Sequence, residues 1–308
     1  MNKKLITSAV VSVVASTSVS AVTLADKDGF KYDFEGDFQV HLQKDNGTNQ
    51  HFHINFEDIQ LDNKIEYQLD DNLTALGRIK FDFKNSANNT PGKASDVDEA
   101  YIGFNYKNIT ASIGRQRYAT FIFGVAEDYA MSSQDDAFGF AKGDDVIALN
   151  LVFDRINIGV TTELRAENEA SAGNQSHDLL VSYTTGTLRL TAAYQQRETS
   201  LHDDKREAYG VSASYNAGFA TFAVDYSNAE DDLKVYNLVT SFDVTEQTRL
   251  AIGMVNNQPE SEEETNEWYT NLTHTFKKFE QVQVFTELSN SDVSESEMGI
   301  LIGSRLRF

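Results

Sequence analysis

Histidine, arginine and serine side chains offer the first places to look for chemistry in this chain. His51 and His53 alternate along an extended segment and could chelate a metal side by side, but no third ligand follows at metal-binding spacing and there is no cysteine. Histidines at the rim of a fold are the simpler reading. His177 and His202 sit in or beside separate outer links, and no Gly-x-Ser-x-Gly elbow supplies a nucleophile for them. The chain reads as non-enzymatic, with no cofactor. Arg78 and Lys80 form a different arrangement. In LTALGRIKFDF they share a face with Thr74, Asp82 and Lys84, while Ala75, Gly77, Ile79, Phe81 and Phe83 form the other face.

Such alternation requires strands, and it recurs. Ile156, Ile158, Val160 and Leu164 oppose Asn157, Thr161, Glu163 and Arg165; Leu188, Leu190, Ala192 and Tyr194 oppose Arg189, Thr191, Gln195 and Arg197. Alternation alone suits a soluble sandwich as well as a membrane barrel. The links between segments separate the two. Tight turns at Asp70-Asp71-Asn72, Lys107-Asn108, Asp154-Arg155, Thr185-Gly186, Asn216-Ala217-Gly218 and Lys277-Lys278 alternate with longer links such as Asn85–Ser95, Ala166–Ser176, Thr199–Glu207 and Asn256–Glu267. Short turns at one end and long loops at the other are the plan of a transmembrane β-barrel.

The segments predict an all-β, antiparallel barrel of about sixteen strands, from Lys31–Gln43 to Met298–Phe308. A barrel of that size is too wide for side chains to fill, so its lumen should hold water. Only Pro91 and Pro259 interrupt 308 residues, which favours long strands. At the N-terminus, Lys3 and Lys4 precede an apolar run and small residues, the pattern of a secretory signal over residues 1–21, with cleavage after Ala25 as the alternative. Residues 22–308 then form the barrel domain. The formal net charge of −21 becomes more negative once Lys3 and Lys4 leave with the signal, which argues against nucleic acid as a partner.

The stretches Ile59–Lys84 and Asp96–Arg117, with Asp26-Lys27-Asp28-Gly29, Ala100–Phe104 and Gly114-Arg115-Gln116, resemble the general diffusion porins, trimeric sixteen-stranded barrels of the outer membrane. The likeness implies a long third loop, Tyr118–Gly143, folded into the lumen. Its Phe121, Ile122, Phe123, Phe138 and Phe140 suit a segment packed inside a barrel. It also implies a constriction, with Glu127, Asp128, Asp135 and Asp136 on the loop facing Arg78, Lys80, Arg115 and Arg117 on the wall. Here the sequence departs from the family: its Pro-Glu-Phe-Gly-Gly-Asp loop tip is replaced around Asp135–Phe140, and a further wall arginine is missing near Val146. A thinner basic ladder, with acidic outer loops at Glu260–Glu264 and Ser294–Glu297, favours cations. The terminal Phe308, inside an alternating last strand, resembles the signal read by the barrel-assembly machinery. The expected setting is outer-membrane lipid and lipopolysaccharide, the expected assembly a homotrimer, and the expected function passive diffusion of small hydrophilic solutes. A substrate-specific channel is the alternative, and a barrel enzyme a more distant one.

Overall fold

The computed structural model describes residues 21–90, 95–129, 135–164, 175–198 and 205–308. Most of the expected signal segment, with Pro91, Arg165 and His202, lies outside these ranges. Among the described residues seventeen strands follow one another, beginning with β1 (Val22–Lys27), β2 (Phe30–Lys44), β3 (His53–Gln68), β4 (Leu73–Asp82), β5 (Asp96–Tyr106), β6 (Ile109–Arg117), β7 (Lys142–Phe153), β8 (Ile156–Glu163) and β9 (Gln175–Thr184). The chain continues through β10 (Leu188–Glu198), β11 (Lys205–Asn216), β12 (Thr221–Ala229), β13 (Leu233–Thr245), β14 (Thr248–Pro259), β15 (Thr265–Phe276), β16 (Phe279–Ser291) and β17 (Gly299–Arg307).

From β2 to β17 each strand pairs antiparallel with the next, and β17 returns to β2 over Ile300–Arg307, closing a barrel of sixteen strands. The seventeenth strand shares the closing seam. β1 pairs with the first part of β2, Phe30–Phe34, while β17 pairs with the later part, Asp37–Lys44. Between them Phe308 exchanges two backbone hydrogen bonds with Gly36, of 2.8 and 3.1 Å. The seam is thereby covered along its length. This matters in lipid, where an unpaired backbone group finds no water to bond.

The links alternate as their sequence suggests. Asp28 and Gly29 join β1 to β2 with positive φ at both residues, the geometry of a tight type I′ hairpin turn. The turns at 107–108, 154–155 and 277–278 lie at the same end, and the longer loops at the other. Links at the loop end are shorter than the sequence indicates where strands run on: β14 continues to Pro259 and β15 starts at Thr265, inside the expected link Asn256–Glu267, and β11 starts at Lys205, inside the expected link Thr199–Glu207. Polar runs can continue a strand here, because cross-strand hydrogen bonds such as that between the Asn256 and Asn266 side chains hold the ladder beyond the apolar belt.

Burial is inverted relative to a soluble protein. On β4, Ile79 is 49% exposed while Lys80, one residue on, is 9% exposed. Ile65, Ile102, Ile113, Leu238 and Ile302 are exposed in the same way, and Gln39, Asp62, Gln195, Asn237 and Glu287 are buried. The outward face is apolar and the inward face hydrophilic, as a lipid-embedded wall around water requires.

Candidate pore constriction

The segment between β6 and β7 hydrogen-bonds to polar-face residues of the wall from β8 round to β16. Starting from β6, the Tyr118 hydroxyl donates to Glu163 on β8 and Thr120 Oγ1 donates to Asp178 on β9 at 2.7 Å. Further along, the Val125 N–H donates to Asp225 on β12, the Glu127 N–H donates to the Tyr269 hydroxyl oxygen on β15, and the Tyr129 N–H donates to Glu287 on β16, each at 2.8 Å. On the return, Ala137 N–H reaches Ser227 Oγ at 2.9 Å and Gly139 N–H reaches Gln195 Oε1 at 3.0 Å. A single loop can touch β8, β12 and β16 on their hydrophilic faces only from within the closed barrel. The loop therefore lies across the lumen.

Its seat is apolar as well as polar. Ala208, Val235, Val239, Val255 and Tyr269 form a buried cluster on the inner wall, against which Val125, Ala137 and Phe138 of the loop pack. Phe123 packs with Leu180 and Ala193 and meets Phe138 edge-on at 5.0 Å between ring centroids. Tyr129 stacks on Phe285 of β16 with centroids 3.8 Å apart. Wall glycines make room for these rings: a Cβ at Gly210 would stand 2.5 Å from Phe123. The core of this protein is thus the contact between loop and inner wall.

Arg78 and Lys80 project inward from β4, and Arg115 and Arg117 stand at the end of β6, Arg115 opposite Ala100 and Arg117 against inward-facing Asp98 and Glu99, with their charges partly shielded. Each takes its counter-charge from the same wall. Arg78 holds Asp62 on β3 through Nε and Nη2 and Glu99 on β5 at 2.8 Å. Lys80 stands 3.3 Å from Asp98; Arg117 is 3.3 Å from Asp98 and from Glu99 and lies over the Phe121 ring at 3.7 Å. Arg115 pairs with Asp96 at 2.6 Å and with Asp144. Lys142, at the start of β7 where the basic ladder looked thin, also reaches Asp98 at 2.9 Å.

On the loop, Glu127 is gripped by Arg249 of β14, with Nη2 2.8 Å from Oε1 and Nε 3.1 Å from Oε2, and accepts from Ser241 at 3.1 Å. Asp128 lies between the anchored Glu127 and Tyr129. The Asp135 carbonyl accepts from Asn237 Nδ2 at 2.7 Å, and Asp136 Oδ1 accepts the N–H of Phe138 at 2.8 Å. Burial pushes the Asp136 carboxyl up to about 7; the Phe138 hydrogen bond opposes the shift, and the charges of Asp135 and Asp225 add to it. Arg249, Lys142 and the wall carboxylates Asp62, Asp98 and Glu99 were not singled out in the sequence. The only sign of the last two is the run Asp96-Val97-Asp98-Glu99, where the alternation breaks. His177, exposed on β9, has Nδ1 3.4 Å from Thr162 Oγ1.

A closed sixteen-stranded barrel with a hydrophilic inner face and an inward third loop coincides with a match to the sequence model of the Gram-negative porin family over residues 7–296. The chain belongs to that family. This porin is an outer-membrane protein. It is 25% identical to porin-like protein H of Photobacterium profundum over the whole of both chains. Among solved structures it resembles the trimer form of OmpT from Vibrio cholerae, with a TM-score of 0.73 and 17% identity over 91% of this chain and 100% of that one. It also resembles OmpF of Salmonella typhi in complex with daunomycin, with a TM-score of 0.75 and 14% identity over 92% of this chain and 99% of that one. These likenesses fix the fold of the porin; its selectivity must be argued from its own side chains.

Proposed function

We propose that this porin is a water-filled channel for passive diffusion of ions and small hydrophilic solutes, with a preference for cations. The observation that carries the reading is the loop seated inside a closed, hydrophilic-walled barrel, where it narrows the water-filled lumen that a barrel of this size encloses. In this reading Glu127, Asp128, Asp135 and Asp136 form the loop side of the constriction, and Arg78, Lys80, Arg115 and Arg117 the wall side. Cation preference is supported by the net charge of −21 and by the carboxylates beside every one of those basic groups.

Assembly as a homotrimer is supported by the trimer form of the Vibrio cholerae relative and by a flat outward strip of Gly77, Ile79, Ala100, Ile102 and Ile113 on β4–β6. The surroundings would be outer-membrane lipid and lipopolysaccharide, and Phe308 would serve the barrel-assembly machinery during insertion. Removal of residues 1–21 fits the start of β1 at Val22. Purified protein inserted in planar bilayers tests the channel: conductance should rise in proportion to salt, with closures in three steps and a reversal potential on the cation side. Saturating conductance that one sugar or anion blocks at low concentration would instead indicate a substrate-specific channel.

A further inference from the structure

We propose that the adjacent carboxylates Asp98 and Glu99 on β5, more than the loop acids, set the ion selectivity of this porin by cancelling the basic wall. The proposal rests on the channel reading above and names the residues that decide its charge preference.

The backbone explains why two neighbouring residues can act together. Along a regular strand Asp98 and Glu99 would point to opposite faces, one into lipid. Here the register shifts. Lys80 pairs with Glu99 and Phe81 with Val97, so Asp98 is an extra residue opposite no partner on β4. Such a bulge re-aims side chains. As a result both carboxylates turn inward, 5% and 3% exposed.

The position of the bulge makes it central to the charged wall. Asp98 lies within 3.3 Å of Lys80 and Arg117 and 2.9 Å of Lys142; Glu99 lies 2.8 Å from Arg78 and 3.3 Å from Arg117. These two acids therefore contact the basic side chains of β4, the end of β6 and the start of β7. Asp62 completes the pairing of Arg78, and Asp96 with Asp144 that of Arg115. An ion passing at more than about 6 Å senses each close pair as a dipole, whose field falls off faster than that of a single charge and is screened within about 8 Å by physiological salt. A wall of arginines and lysines is thereby made nearly neutral. Removing its carboxylates would restore a positive wall without adding one basic residue.

The test is the reversal potential of single channels under a salt gradient, for the full-length protein and its Asp98→Asn/Glu99→Gln double variant. Two uncovered positive charges in a constriction should lower the cation-to-anion permeability ratio about tenfold, by the Coulomb energy of charges a few ångströms from the ion path. Glu127→Gln, on the loop, should change the ratio less. A double variant that inserts and conducts with the parental ratio overturns the proposal, as does a larger shift from Glu127→Gln. Failure of the parental protein to conduct would refute the channel reading itself, a separate result. Should the double variant not fold, Glu99→Gln and Asp62→Asn each leave Arg78 one carboxylate. Each should lower the ratio about threefold, and an unchanged ratio in both overturns the proposal equally.

Discussion

Replacing Gly36 with alanine should jam the barrel seam, and the structure gives the size of the effect. A Cβ at Gly36 would lie 2.3, 2.4 and 2.9 Å from three carbons of the Phe308 ring, about 1 Å inside normal contact. The ring has little freedom to retreat. Phe308 is tied to Gly36 by the two backbone hydrogen bonds of the seam, and its ring sits between Phe34 and Phe38 at centroid distances of 5.8 and 6.0 Å. Overpacking of this kind costs about 1–3 kcal/mol, against which the better strand propensity of alanine recovers about 0.5 kcal/mol. Phe308→Ala alone should cost about 2 kcal/mol through lost burial and ring contacts. In the double variant the clash disappears, so Gly36→Ala should then be neutral or slightly stabilising, a coupling of about 2 kcal/mol. Urea unfolding of protein refolded in micelles, followed by the fluorescence of Trp268, the single tryptophan, measures all four corners of the cycle without the assembly machinery. Additive costs, or a harmless Gly36→Ala in the parental background, would refute this account of the seam.

Two further outcomes concern the loop. Gly210→Val should push Phe123 off its seat, since even a Cβ there comes within 2.5 Å of the ring; single-channel current should fall and flicker, whereas Gly186→Val, with open space around it, should conduct normally. Asp136 should titrate inside the working range. Its raised value, about 7, lies above the 3.8 of the unfolded chain, so the folded loop favours the protonated form; the group costs nothing below both values, destabilises the loop increasingly as pH rises from 3.8 to about 7, and its cost levels off above that. Lowering the pH from 8 to 5 also removes one negative charge from the lumen. The cation-to-anion permeability ratio should drop across that interval, and an Asp136→Asn channel should lose the step.

The fold was legible because its cause is local. With a side-chain period of two and lipid on one side, the alternation of Ala75, Gly77, Ile79 and Phe81 with Arg78 and Lys80 decides at once that a strand spans and which face meets water. Turn residues such as Asp28-Gly29 and Lys107-Asn108 mark the tight end for the same reason. The aromatic loop between β6 and β7 was visible too, since solvent would not favour Phe121, Phe123, Phe138 and Phe140 in a surface link. What the residues could not disclose was which charge meets which. Asp62 faces Arg78, and Glu127 faces Arg249, through lateral register and across the lumen, between positions far apart in sequence. One extra residue in β5 turns Asp98 inward beside Glu99, against the alternation that holds elsewhere. Residue pattern alone specifies a barrel with a polar bore, because period and link length act strand by strand, while the inserted loop is read from its aromatic residues and from the resemblance to porins. Only the closed tertiary structure decided that the basic wall is neutralised by its own neighbours, because charge pairing depends on the register of the whole cylinder.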